Sequence, residues 1–169
     1  IKVTGLDLLP EFCEEARRNT DDPRVNFVCG SALAMDFPAE AFDAIFMLHV
    51  SMNIGKKSNL FSEIHRVLRK NSQFAFYEIL AGDGVENMSY PCPWASKQED
   101  SFLITPSDLE ILVEKIGFTI ESKESRRDFG LEAMVRRQAA YPEQPFVNLL
   151  ENVRENRCAP WQYVCRKDS

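Results

Sequence analysis

The sequence predicts an α/β doubly wound domain on three observations. Candidate strands and helices alternate along most of the chain, several strand candidates are continuously apolar, and the helices between them are amphipathic. Continuous apolar runs fit strands covered by helices on both faces, whereas a strand with one wet face alternates.

Each element has its own local reason. Residues 3–8 form a short β-type run closed by Leu9-Pro10, and Pro10 suits the first turn of a helix, where its missing N–H is harmless. Residues 11–19 continue that helix, with Phe12, Cys13 and Ala16 on one face and Glu14, Glu15, Arg17 and Arg18 toward water. Thr20-Asp21-Asp22-Pro23 ends it, and residues 25–29 and 42–48 are the next two strands. Leu60, Phe61, Ile64, Val67 and Leu68 recur at i, i+1, i+4, i+7 and i+8, which makes an amphipathic helix with a basic end at Arg66, Arg69 and Lys70. His65, within it, reads as a surface residue.

Residues 74–80 are a fourth strand, followed by an irregular stretch, 81–104, of the length that compact domains reserve for function. Thr105-Pro106-Ser107-Asp108 combines an N-cap, a proline at N1 and an acid at N3. The helix it opens has a buried stripe of Leu109, Leu112, Val113 and Ile116 and stops at Gly117. Residues 118–124 follow as a strand, 131–138 and 146–155 as helical segments interrupted by Pro142 and Pro145, and 161–166 as the last strand. With no internal repeat, low-complexity segment or linker, residues 1–169 are expected to be one domain.

Composition narrows the function. Apolar residues at 44% and charged residues at 27% are globular values that exclude disorder, collagen and coiled coil as the main architecture. A net charge of −6 without a basic run argues against nucleic acid as a partner. The longest apolar run, residues 44–48, is far below the ~18–20 residues of a membrane span, and no signal-peptide core is present, so a cytoplasmic protein without membrane partners is expected. Cys13, Cys29, Cys92, Cys158 and Cys165 show no C-x-x-C pair and no zinc spacing, and read as reduced thiols with no metal site.

Asp7 is an acid at a strand end directly before a helix, where its two oxygens can accept hydrogen bonds from both hydroxyls of a ribose; a turn or helix-capping aspartate is the equal alternative. Dinucleotide-binding folds place a glycine-rich loop ~20 residues before such an acid. Only six residues precede Asp7.

Five segments in order now resemble one family. V-T-G-L-D-L-L-P-E-F, V-N-F-V-C-G-S-A-L-A-M-D-F-P, A-F-D-A-I-F-M-L-H-V-S-M-N-I, H-R-V-L-R-K-N-S-Q-F-A-F-Y-E and F-L-I-T-P-S-D-L-E-I-L-V-E-K-I-G-F are similar to the second strand through the sixth of class I S-adenosylmethionine-dependent methyltransferases. Within these they resemble the small-molecule branch that includes ubiquinone and menaquinone biosynthesis enzymes. The resemblance implies a Rossmann-like sheet with helices on both faces, S-adenosyl-L-methionine as cofactor and a small-molecule methyl acceptor as partner.

Carried over position by position, it implies that Asp7 binds the ribose, Leu8 lies against the adenine, and Ser31 and Ala32 contact the adenine edge. Many relatives have Asp in place of Ser31, which here reads equally as a loop serine. His49, ending the 42–48 strand, would face the methionine portion and the acceptor and is the best-placed base, with packing as its alternative role. Asn53 would hold a substrate or methionine group or cap the following helix, and Tyr90 and Trp94 would line the acceptor pocket or pack the long loop. The family's common Gly-Gly after the long helix is Asn71-Ser72 here, which predicts a strained or different turn.

The family's central first strand, its helix and the glycine-rich loop would lie upstream of Ile1. The fold is therefore expected to be N-terminally incomplete and inactive as this chain alone. Its second and fourth strands are expected either to pair directly or to be protected by another copy, with homo-oligomerisation through the exposed edges favoured. A non-catalytic assembly module and a nicotinamide-dependent dehydrogenase are the competing readings, the latter explaining Asp7 alone.

Overall fold

The computed structural model describes residues 1–141 and 146–169. Pro142 and Pro145, expected to interrupt the C-terminal helices, lie outside the described residues. The chain runs β1 (Val3–Asp7), α1 (Pro10–Arg18), β2 (Val25–Cys29), β3 (Phe42–Leu48), α2 (Lys57–Val67), β4 (Leu68–Ala81), α3 (Pro106–Ile116), β5 (Phe118–Ser125), α4 (Arg127–Ala140), α5 (Val147–Arg154) and β6 (Cys158–Lys167).

The strands form two sheets. β1 and β2 make a parallel pair, and β3-β4-β6-β5 make a four-stranded sheet in which β3 runs parallel to β4, and β6 antiparallel to both β4 and β5. Direct pairing of β1 with β3, one of the two outcomes expected, does not occur. The two-stranded sheet is instead anchored through the chain that follows it. Met35 N–H donates to Glu63 on α2 at 2.7 Å, and Arg66 donates to the carbonyls of Phe37 and Met35 at 2.7 and 2.8 Å.

Period-two alternation divides the four-stranded sheet into two faces. Phe74 and Phe76 of β4 and Tyr163 and Cys165 of β6 pack beneath α2 and α3 with Leu60, Phe61, Ile64, Leu109 and Val113. On the other face, Ile79 and Cys158 pack with Leu149 and Val153 of α5 and with Leu131 and Met134 of α4. Helices thus lie on both faces, but the second face is covered only toward the end of β4. Phe46 and Leu48, beside Ala75 and Tyr77 in the register, remain 68% and 56% exposed.

The local signals for α3 hold in detail. Thr105 Oγ1 accepts from the Asp108 N–H at 3.1 Å, Pro106 begins the helix, and Gly117 closes it at φ +108°, a left-handed conformation that favours glycine. The α2–β4 boundary differs from expectation. The helix ends at Val67 and the strand begins at Leu68, so Arg69 and Lys70 belong to β4. Asn71 takes φ +58° within a register shift between β3 and β4. Asparagine tolerates the left-handed region, and this allows a bulge to replace the glycine turn. His65 is half-buried rather than a free surface residue: its ring packs edge-on against Phe118 at 5.1 Å. Among the described residues, no helix is long and apolar enough to cross a membrane.

Candidate active site

A cavity of about 460 Å³ opens beside the end of β3. His49, Met52 and Asn53 from the turn after β3 form one side of it, and Tyr77 and Ile79 of β4 with Pro160 of β6 form another. Pro93 and Trp94 of the long loop, Gly130, Ala133, Met134 and Arg137 of α4, and Phe146 and Leu149 complete the walls. The lining is mostly apolar with a few polar groups, the character of a small-molecule site.

Fixed interactions shape these walls. The indole N–H of Trp94 donates to Ser101 Oγ at 2.9 Å, which holds the ring in place. The Arg137 guanidinium lies 4.6 Å from the centre of the Phe146 ring. A Cβ on Gly130 would meet Pro160 at 2.6 Å, so only glycine lets α4 approach β6 this closely.

His49 sits at φ +53°, and its N–H donates to the Tyr77 carbonyl at 2.9 Å. Its ring meets Tyr77 edge-on at 5.2 Å. Partial withdrawal from water lowers its pKa below the ordinary histidine range, so the ring is neutral at pH 7.

The unusual backbone at His49 is held from beneath by Glu78, which is fully buried. Its carboxylate accepts from the N–H groups of Val50 and Ser51 at 2.8 and 3.0 Å and from Ser51 Oγ at 2.9 Å. Lys57, at the start of α2, donates to the carbonyls of Ser51 and Ile54 at 2.6 and 2.9 Å. Burial raises the Glu78 pKa in spite of these donors, and it lowers Lys57 to about 8 against the attraction of Glu78. Desolvation therefore outweighs the attraction at both groups.

The sequence-derived residues fall into two places. His49, Asn53 and Trp94 meet in the cavity, whereas Tyr90 does not line it. Asn53 does not cap α2, whose N-cap position is Lys56; its Nδ2 donates to the Val50 carbonyl at 3.3 Å. Asp7, Leu8, Ser31 and Ala32 lie outside the cavity, at the exits of β1 and β2, joined by a hydrogen bond from Gly30 N–H to the Asp7 carbonyl at 2.8 Å. Asp7 Oδ1 accepts from Leu9 N–H at 2.9 Å, Leu8 is exposed, and Ser31 Oγ accepts from Leu33 N–H at 3.2 Å. Ala32 packs against the main core.

Sequence reasoning missed Glu78, Lys57, Tyr77 and the α4 and α5 walls. A charged residue inside the apolar run 74–80 was the visible signal for Glu78. Among the described residues, no cluster of three or more potential metal ligands occurs.

Comparison with known proteins shows what the chain is similar to. Residues 1–76 match the family model described as a methyltransferase domain. A sterol 24-C-methyltransferase of Debaryomyces hansenii is 34% identical over 68 residues, 40% of this chain and 18% of that protein. Its Neurospora crassa counterpart is 33% identical over 89 residues, 50% of this chain and 24% of that protein. The matched segments thus span less than a quarter of these relatives' length.

Among solved structures, phosphoethanolamine N-methyltransferase 2 of Haemonchus contortus with S-adenosyl-L-methionine superposes with a TM-score of 0.81 at 18% identity, over 99% of this chain and 44% of that one. Geranyl diphosphate C-methyltransferase of Streptomyces coelicolor gives 0.80 at 15% identity, over 98% and 62%. The cyclase SpnF gives 0.73 at 17% identity, over 99% and 67%. The fold is that of the Rossmann-like class I methyltransferases, and the sequence similarity is to a methyltransferase domain and to sterol 24-C-methyltransferases.

Two outcomes are expected, one at this site and one at the two histidines. Glu78→Ala removes one partner of a buried charged network and should lower stability by about 3–5 kcal/mol. Chemical denaturation reads the loss, and hydrogen exchange should quicken at Val50 and Ser51. The two histidines, both with pKa values lowered chiefly by burial, should titrate below ~6.5 by NMR. Their contribution to stability is then fully present above ~6.5 and is lost as pH falls through the folded-state values.

Proposed function

We propose that this methyltransferase-fold chain transfers a methyl group from S-adenosyl-L-methionine to an apolar small molecule seated in the cavity beside His49. The observation that carries this reading is position: the cavity opens at the carboxyl end of β3, where open α/β sheets bind their ligands. The sterol and geranyl diphosphate methyltransferases among its relatives support an acceptor with a carbon-rich body. The quinone precursors suggested by the ubiquinone-like resemblance would also suit the apolar walls, but the sterol relatives favour the terpenoid or sterol class.

The exits of β1 and β2 fit the adenosine portion of the cofactor. Asp7 presents an exposed carboxylate with one oxygen engaged by Leu9, suited to ribose hydroxyls, and Leu8 offers an exposed apolar surface to the adenine. Ser31 and Ala32 would border the adenine edge. When bound, the cofactor supplies a methyl group on a positively charged sulfonium. The chain's own task is alignment and exclusion of water, the dominant requirements for such a displacement. Met52, Ile79, Trp94, Met134 and Leu149 keep water from the acceptor, while Asn53 and Arg137 supply polar groups. His49, neutral at pH 7, can take a proton from the acceptor at a ring nitrogen. Five free thiols fit a cytoplasmic setting.

A second reading, assembly with another copy of this chain, is favoured by the edges of β1 and β3 that are unpaired among the described residues, beside exposed Phe46 and Leu48. Calorimetric titration with S-adenosylhomocysteine should show saturable binding that Asp7→Ala weakens at least tenfold; a folded chain that does not bind overturns the cofactor reading. Light scattering across a concentration series should show a mass above the 19.4 kDa monomer. The doubly substituted Phe46→Lys, Leu48→Lys chain should stay monomeric, and an unsubstituted chain that is monomeric throughout refutes the assembly reading.

A further inference from the structure

Two cysteines, sixteen positions apart and in no recognisable motif, meet at the root of the Asp7 turn. Cys13 Sγ on α1 lies 3.7 Å from the Asp7 carbonyl and 3.6 Å from the Val28 carbonyl. Cys29 Sγ, at the end of β2, lies 3.5 Å from the carbonyl of Leu8, the residue after Asp7. Asp7 and Cys29 are register partners across the parallel pair. Two successive carbonyls at the exit of β1 therefore receive the two sulfurs, and the Val28 carbonyl that also receives Cys13 belongs to the peptide bond leading into Cys29.

Accessibility separates this pair from the other thiols. Cys29 is exposed, whereas Cys13, Cys92, Cys158 and Cys165 are buried. Burial pushes Cys92 up to about 11, and Cys158 and Cys165 up to about 12, which leaves them neutral and unreactive at physiological pH. An oxidant in solution meets Cys29 first, and Cys13 is the thiol that shares its turn.

We propose that Cys13 and Cys29 form a redox-active thiol pair whose disulfide staples α1 to β2 and fixes the turn that carries Asp7. The oxidant is a hydroperoxide. The Cys29 thiolate attacks the peroxide oxygen, the O–O bond breaks, and the alcohol or water leaves with a proton, giving a sulfenic acid. Cys13 sulfur then attacks the Cys29 sulfur; the S–O bond breaks, the Cys13 proton goes to the departing hydroxide, and water leaves. Two thiols and one hydroperoxide give one disulfide, one alcohol or water, and one water.

The first step requires the thiolate. Partial desolvation, the neighbouring Cys13 thiol and the Asp7 carboxylate raise the Cys29 pKa, and Arg17 on α1 lowers it by less. Oxidation should therefore be slow at neutral pH and accelerate as the pH rises. A link between oxidation state and cofactor affinity rests on the proposed function; the disulfide itself does not.

The test treats the purified 169-residue chain with hydrogen peroxide and maps peptides without reduction. The expected result is a loss of two mass units carried by a Cys13–Cys29 cross-linked peptide, reversed by dithiothreitol, with slower amide exchange over residues 7–13. Cys13→Ser should trap Cys29 as a sulfenic acid that dimedone labels, and Cys29→Ser should leave the remaining thiols unoxidised at the same dose. Oxidation of Cys29 to sulfinic acid without the cross-link, or oxidation of Cys92, Cys158 or Cys165 at a comparable rate, overturns the proposal. Affinity for S-adenosylhomocysteine shifts with oxidation state only when both this pair and the cofactor reading hold, while the mass and exchange readouts depend on the pair alone.

Discussion

Glu78 has no solvent exposure, yet its carboxylate accepts from two backbone amides and a hydroxyl in the turn that follows β3. A carboxylate buried among apolar side chains is costly unless its lone pairs are met by donors. Here the donors are Val50 and Ser51, so the turn can take only the conformation that presents them. His49 is thereby held in a left-handed backbone conformation that a β-strand would not otherwise hand to a histidine. Adjacent residues of β4 serve opposite faces: Glu78 faces α2 and fixes the turn, while Tyr77 faces the cavity and meets the His49 ring. Lys57 extends the network to the first turn of α2. The position of the site thus depends on a polar network on the reverse side of the strand.

Much of this architecture was legible because its causes are local. The Thr105-Pro106 cap, the stripe from Leu109 to Ile116 and the Gly117 stop are written in consecutive residues, and α3 follows them closely. The end of α2 was misread because basic residues suit either a helix terminus or an exposed strand. The deciding feature is Asn71 in the left-handed region, which has meaning only once β3 has set its register with β4. His65 was misread for a similar reason, since the ring that covers it comes from Phe118, in a different strand.

The same division holds at the site. His49 and Asn53 follow a strand end, and Trp94 stands in a long aromatic loop, so position alone marked them as candidates. Tyr90 carried the same local signal and does not reach the cavity, because which aromatic of that loop faces inward is set by partners such as Ser101. The walls from α4 depend on Gly130 packing against Pro160, thirty positions away, and nothing near Gly130 announces that approach.

The division into two sheets has a thermodynamic side. Among the described residues 1–46, Cys13 alone is fully buried, whereas the β3-β4-β6-β5 sheet encloses an aromatic interior built around Phe61, Phe74, Phe76 and Tyr163. Local unfolding free energy follows buried contact, so the chain is two foldons of unequal depth. The shallow one, holding Asp7, can open and reclose while the deep one stays shut. Its tether is the guanidinium of Arg66, bonded to two carbonyls of the connecting segment. The cavity is walled by residues from His49 onward, so its shape draws on the deep unit and not on the neighbouring strand pair.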